Sequence, residues 1–382
     1  MHQKLKRQLT NAPTRQYAKT QQARNQQANA PICHPNHPTP NDQHPNHPTT
    51  NTPNAMSQQP NNPTPQQPNS LLPHLPAPPP GKTGWPWTEE TDPGIYDIEV
   101  EWPKISIVTP SYNQGGFIEE TIRSILLQNY PNLEFIIMDG GSTDETVEIL
   151  KKYDPWITHW ESKRDRGQSD AINNGFERAK GEIFSWLNTD DFFLPKALFT
   201  VAQTYLNNSD EYIEAWVGAA DKITADGKLI YTSLPKELTL ESFYHWRNPE
   251  RPANQGNFLQ PACFFTKRAW EKAGPLDLDL EYCMDVALWL RMARNFKFAP
   301  IHEKLAIAVG HSEAKTTKEV EKTIAEVALV VAEYGGRDVA KIDLMRMVDQ
   351  YLELKEKWNK LSNFPLIRLW KPLLRRILRP KK

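Results

Sequence analysis

Ile183-Phe184-Ser185-Trp186-Leu187 runs directly into Asn188-Thr189-Asp190-Asp191. The five apolar-rich residues read as a buried parallel strand, and the four that follow place two adjacent acids at its mouth. Acids so placed are costly unless something offsets their charge, and a hard divalent cation holding a diphosphate does so. Toward the N-terminus, Ile105, Ile107 and Val108 open a first strand that leads to Asn113. A second, residues 133–138, ends in Asp139-Gly140-Gly141-Ser142. Three strands that each close on polar or acidic residues predict a nucleotide crevice at the carboxyl edge of an open sheet.

The segments between these strands have helical periodicity. Ile118, Ile122, Ile125 and Leu126 fall on one face, and Asn129-Tyr130-Pro131-Asn132 stops that helix. Ser142 with Glu145 predicts a capping box for the next helix. Residues 157–160 read as a third strand, residues 171–179 as a helix ended by Gly181, and residues 198–205 as another helix. Strand and helix in alternation imply a parallel sheet with right-handed crossovers. The second half is less regular. It predicts strands at 215–220, 228–232, 258–266 and 305–309, and an amphipathic helix over 283–295 that carries Asp285.

Composition narrows the function. The chain has 382 residues and a formal charge of -1, which argues against a dedicated nucleic-acid binder. Cys33, Cys263 and Cys283 have no metal or disulfide spacing, so a reduced cytoplasmic setting is expected. No apolar run is long enough to cross a bilayer. Residues 1–80 are rich in Gln, Asn, Pro, His and Thr and read as a disordered low-complexity tail. Four histidines in that tail, His34, His37, His44 and His47, have no fold to fix ligand geometry, and Met56 is a second candidate start. Residues 81–103 form a lead-in that Trp85-Pro86-Trp87 anchors on the domain. Gly81-Lys82-Thr83 lacks the earlier glycine and the strand of a phosphate loop.

Four motifs in order carry a family resemblance. They are Ile105–Gln114 by position (105–114), Asp139-Gly140-Gly141-Ser142-Thr143-Asp144-Glu145-Thr146, Asn188-Thr189-Asp190-Asp191, and Met284-Asp285 followed by Leu288-Trp289-Leu290-Arg291. Together they resemble the family 2 glycosyltransferases over roughly residues 104–317. The resemblance implies an α/β fold of the GT-A type, a Rossmann-like and mostly parallel sheet flanked by helices. A helical extension with a basic end, 318–382, would follow. It also implies an inverting, metal-dependent transfer from a nucleotide-sugar donor, a UDP-sugar favoured, to a saccharide or lipid-linked acceptor in surface polysaccharide synthesis.

Particular residues then acquire expected roles. Tyr112 stacks on the base, Asp139 accepts from a pyrimidine N–H, and Pro110 contributes backbone. Arg166 and Gly167, ahead of a helix N-terminus, meet the phosphates or the ribose, and Gln168, Ser169 and Asp170 read the donor sugar. Asp190 and Asp191 hold Mg²⁺ or Mn²⁺ with His311, and Asp190 also serves the nucleotide. Asn188 departs from the family pattern by replacing an acid. Asp285 is the general base that deprotonates the acceptor hydroxyl. Gln260 shapes the acceptor side, and Trp289 and Trp246 either stack on a sugar ring or belong to the core.

Residues 366–382 interleave Leu, Ile and Trp with Arg and Lys and contain no acid. They read as an interfacial helix for anionic lipids, which would place the protein peripherally on the inner face of the cytoplasmic membrane. Two other functions use the same features. A nucleotidyltransferase would need a basic residue soon after the first strand, which 111–116 lacks. A non-catalytic binding protein would have no use for Asp190, Asp191 and Asp285 together.

Overall fold

A computed structural model describes residues 69–246, 258–310 and 319–362. In chain order the elements begin with β1 (Ile105–Ser111), α1 (Gly115–Leu126), β2 (Leu133–Asp139), α2 (Thr146–Tyr153), β3 (His159–Ser162), α3 (Gln168–Arg178) and β4 (Ile183–Trp186). Next come β5 (Phe192–Phe193), α4 (Ala197–Leu206), β6 (Ile213–Thr224), β7 (Leu229–Ser233), α5 (Leu240–Tyr244) and β8 (Cys263–Thr266). The last are α6 (Lys267–Ala273), α7 (Met284–Ala293), β9 (Lys297–Gly310), α8 (Val320–Glu333) and α9 (Arg337–Ser362).

The strands form one mixed sheet in the order β3-β2-β1-β4-β8-β6-β9-β5, with β7 hydrogen-bonded to β6. Strands β3, β2, β1 and β4 are parallel, as the strand–helix alternation predicts. Beyond β4 the sheet is mixed. β8 runs antiparallel to both β4 and β6, while β6 and β9 are parallel to each other. This arrangement has a consequence for the site. The carboxyl ends of β1, β2, β4, β6 and β9 and the amino end of β8 all reach the same edge.

Alternating side chains of the central strands feed two cores. Val108, Ile136, Met138, Phe184 and Trp186 pack on one face with α3, α7 and α8. Ile105, Ile107, Phe135, Ile137 and Ile183 pack on the other with α1, α2 and α4. All seven residues of β1 are buried, as a central parallel strand requires. Helix α3 crosses β1 at Gly175, where an added methyl would overlap both methyls of Val108. Alanine normally favours a helix interior over glycine by about 1 kcal/mol. Here Gly175→Ala is expected to destabilise by about 1–3 kcal/mol instead, because the packed strand cannot yield. A urea midpoint equal to or above wild type would refute this.

Several sequence expectations are corrected. The tail does not extend to residue 80: from residue 69 the chain packs on the domain. Glu90 accepts from the amides of Leu71 and Leu72 at 3.1 and 3.0 Å, and Leu75 is buried. The Ser142–Glu145 capping box does not form, because the Ser142 hydroxyl is taken by Asp139. Asp144 acts instead, accepting from Thr146 N at 3.1 Å and from Gly115 N at 2.9 Å, so it ties together the starts of α2 and α1. The third strand starts two residues late, after a 3-10 turn at Asp154–Trp156 that includes Pro155. Pro261 likewise confines the 258–266 strand to β8, behind a 3-10 turn at Gln260–Ala262. Residue 318 is no domain boundary either. Val327, Ala328, Val330 and Val331 of α8 lie in the same core as α7. No helix among the described residues is long and apolar enough to cross a membrane.

Candidate active site

A cleft of about 920 Å³ opens along the shared sheet edge. Pro110, Tyr112, Gly167, Gln168, Gln260 and Asp285 line it, together with Asp190 and Asp191. Residues from five separate parts of the chain therefore meet here. Tyr112 follows β1 and is 62% exposed, so its ring is accessible for stacking. Two further polar atoms of this wall, Ser111 Oγ and Gln114 Oε1, are buried without a partner. Buried atoms of this kind mark places where water or a ligand completes the network.

The turn after β4 divides the acidic pair. Asp190 is half-buried on the cleft wall. Asp191 is 5% exposed, and its Oδ1 accepts from Val309 N at 3.0 Å, which ties the turn to the end of β9. Burial, with the Asp190 charge adding to it, pushes the Asp191 carboxyl up to about 8; Lys222, the Val309 amide and Asn188 pull the other way. A cation beside the pair would favour the ionised form. Asn188 uses an amide as an aspartate could not. Its Oδ1 accepts from Gln168 Nε2 at 2.7 Å, while its Nδ2 donates to Gln260 Oε1 at 3.3 Å. Gln260 Nε2 donates in turn to Trp186 O at 2.7 Å, so three amides join α3, β4 and the turn before β8 across the cleft.

Among the described residues no group of three His, Cys, Asp or Glu converges. Mg²⁺ needs only one or two carboxylates, with substrate phosphates and water completing its shell. Asp190, with Asp191 and the neutral Asn188 beside it, fits that requirement and does not fit a tetrahedral zinc site. His311 lies outside the described residues.

Asp285 is the second residue of α7, where its Oδ1 accepts from Val286 N at 2.8 Å. Next to it, burial raises the Cys263 thiol well above its ordinary value, with the Asp285 charge contributing.

Other expected site residues have structural work. Asp139 is 2% exposed, and its carboxylate accepts from Gly141 N, Ser142 N, Ser142 Oγ and Ser162 Oγ at 3.2, 2.8, 2.5 and 2.6 Å. It builds the turn that presents Gly140 and Gly141 to the cleft, rather than presenting its own oxygens to a base. Arg166 pairs with Asp170 at 2.6 Å, and neither lines the cleft. The hydrogen bonds and ion pair from Arg166 hold the Asp170 carboxyl below the usual range. Ser169 is buried, with Oγ 2.7 Å from Met284 Sδ. Trp289 is 0% exposed and stacks on Trp186 at 5.4 Å, and Trp246 is also buried in this core, so neither meets a sugar. The sequence reading passed over Lys222, a cleft residue on β6 whose Nζ donates to Val309 O at 3.1 Å. Nothing in its local sequence marks it, since only the β6–β9 pairing brings it beside Asp191.

An acid pair, an accessible aromatic and a helix-borne carboxylate surround one cleft at the sheet edge where α/β folds bind ligands. Residues 106–272 match the family described as "Glycosyl transferase family 2". Over 222 residues it is 28% identical to an uncharacterized glycosyltransferase of Rickettsia typhi. That alignment covers 56% of this chain and 66% of the relative, just under two thirds of its length. Over 92 residues, 23% of this chain and 36% of the other, it is 40% identical to the putative teichuronic acid biosynthesis glycosyltransferase TuaG of Bacillus subtilis. Among solved structures, S. aureus TarS 1-349 in complex with UDP-GlcNAc superposes with a TM-score of 0.47 at 16% identity. That superposition covers 59% of this chain and 66% of the other.

Proposed function

We propose that this protein transfers a sugar from a nucleoside diphosphate donor to an acceptor hydroxyl, with inversion at the anomeric carbon. One observation carries the reading: Tyr112, Asp190 and Asp285 line a single cleft at the carboxyl edge of the sheet. Tyr112 would stack on the base, while Ser111 and Gln114 offer polar atoms to the nucleoside. The diphosphate would lie toward Asp190 and Lys222. A divalent cation on Asp190 would neutralise the charge that builds on the departing diphosphate. Asp285 would accept the acceptor's proton as its oxygen attacks the anomeric carbon. The carbon–oxygen bond to the diphosphate breaks on the opposite face, and the nucleoside diphosphate leaves with the bonding pair. The family supports the chemistry. The relative named for teichuronic acid biosynthesis supports a role in surface polysaccharide synthesis.

Screening nucleotide sugars for Mn²⁺-dependent thermal stabilisation tests this reading, because a bound donor raises stability by mass action. One nucleoside diphosphate series should stand out, and its shift should vanish in Asp190→Ala. Tyr112→Ala should weaken nucleotide binding roughly tenfold, in line with a base-stacking contribution of about 1–3 kcal/mol. No shift with any nucleotide would sink the proposal. Contact with a membrane through 366–382 concerns residues outside those described.

A further inference from the structure

Three consecutive backbone amides precede the helix that carries Asp285, and one side chain holds all three. Glu326, in the second turn of α8, accepts from Glu281 N on Oε1 at 3.0 Å. Its Oε2 accepts from Tyr282 N at 2.7 Å and from Cys283 N at 3.0 Å. A second tie runs beside it: Tyr282 OH donates to Glu319 Oε2 at 2.6 Å, and Lys322 pairs with the same carboxylate. Glu281 and Tyr282 are themselves part of the cleft wall. Cys283, the residue before α7, makes no side-chain cap. Glu326 therefore supplies from a distant helix what a cap supplies locally, acceptors and negative charge at the positive end of α7. It can do so firmly because α8 is fixed by buried Thr323, Val327, Val330 and Val331.

We infer that Glu326 is a positioning residue for sugar transfer: through the backbone of residues 281–283 it sets where Asp285 presents its carboxylate in the cleft. The inference rests on the reading of Asp285 as general base. Proton transfer requires the base oxygen within about 2.6–3.2 Å of the hydroxyl. A misplacement of about 1 Å, even from a change far from the chemistry, can cost on the order of 100-fold. Without Glu326 three amides lose their acceptor together, and the segment leading into α7 loses its tether to α8. The nucleotide end of the cleft belongs to β1 and β2, which Glu326 does not touch. Its role is thus confined to the reacting end.

The test uses full-length Glu326→Ala and Glu326→Gln, each alone and with Asp285→Asn. With Asp285 present, Glu326→Ala should lower kcat about 10- to 100-fold while donor KM and nucleotide Kd stay at wild-type values. Glu326→Gln keeps the shape but turns an amide nitrogen toward backbone N–H groups, and should fall between. In the Asp285→Asn background the Glu326 substitutions should change nothing further, because the group they position is gone. If Glu326→Ala fails to fold, Glu326→Gln with intact nucleotide binding carries the test. Wild-type kcat in both variants, beside an inactive Asp285→Asn, would overturn this inference and leave the base assignment standing. An equal loss in both backgrounds would also overturn it, by showing a general structural role. Wild-type activity in Asp285→Asn would instead remove the base assignment on which it rests.

Discussion

Asp285→Asn is expected to lower kcat by about 10²–10⁴-fold, the range that a positioned general base contributes. An asparagine in this place keeps the fold. Its Oδ1 can still accept from Val286 N, as the aspartate does at 2.8 Å. What it loses is the lone pair that takes the acceptor's proton. An un-ionised hydroxyl is a weak nucleophile, so the substitution acts on the transition state and not on donor binding. Donor KM and nucleotide Kd should therefore remain near wild type, and the loss should appear in kcat and kcat/KM equally. Steady-state kinetics with the donor found by thermal screening provides the measurement. A rate within a few-fold of wild type would exclude Asp285 as the base. A loss confined to donor affinity would move it to the binding machinery.

Arg123→Ala is expected to be the most destabilising single change in the domain. Arg123 is 1% exposed although it lies on α1. Its guanidinium donates to three carbonyls of the lead-in: Nε to Pro86 O at 3.0 Å, Nη1 to Pro76 O at 2.9 Å and Nη2 to Trp87 O at 2.7 Å. Nη1 also reaches Tyr153 OH at 3.1 Å, and the group sits 5.6 Å from the Trp87 ring centroid. This one side chain thus fastens the lead-in across α1, while Trp85 Nε1 holds the same strap to Phe193 O at 2.7 Å. Truncation would leave buried carbonyls without donors and open a void the size of the side chain. A loss on the order of 3–5 kcal/mol follows, since hydrogen bonds to a charged group are the costly ones to abandon and the cavity adds to them. Arg123→Lys should recover only part, because an ammonium on a flexible stem cannot span the fork. Urea unfolding gives the magnitude, and limited proteolysis should show early cutting within residues 69–103. A midpoint near wild type would mean that the lead-in is held by its tryptophans alone.

The contrast between these two residues shows what could be read in advance. Asp285 opens an apolar-patterned helix inside a four-motif sequence, so its type and place carry a signal. Arg123 sits between Ile122 and Ser124 and reads as an ordinary solvent-side cation of an amphipathic helix. Nothing local says that a strap will cover it. Trp289 was open in the sequence to sugar stacking or to the core. An aromatic near a base suggests sugar stacking, yet it occupies the core against Trp186. Asp139 was placed at the right strand end, but its carboxylate is used by the turn it closes.

The order of apolar runs and polar strand ends was enough to specify an α/β sheet, its parallel half and the edge on which the acids gather. Periodicity and turn chemistry are local and are written in consecutive residues. The tertiary structure alone decided which acid is the more deeply buried, that Lys222 and Val309 join the pair, and that α8 holds the segment before Asp285. These depend on pairings between β6 and β9 and between α7 and α8, elements distant in the chain. Their contacts arise from burial and from the need to satisfy backbone amides, which no short window of sequence records.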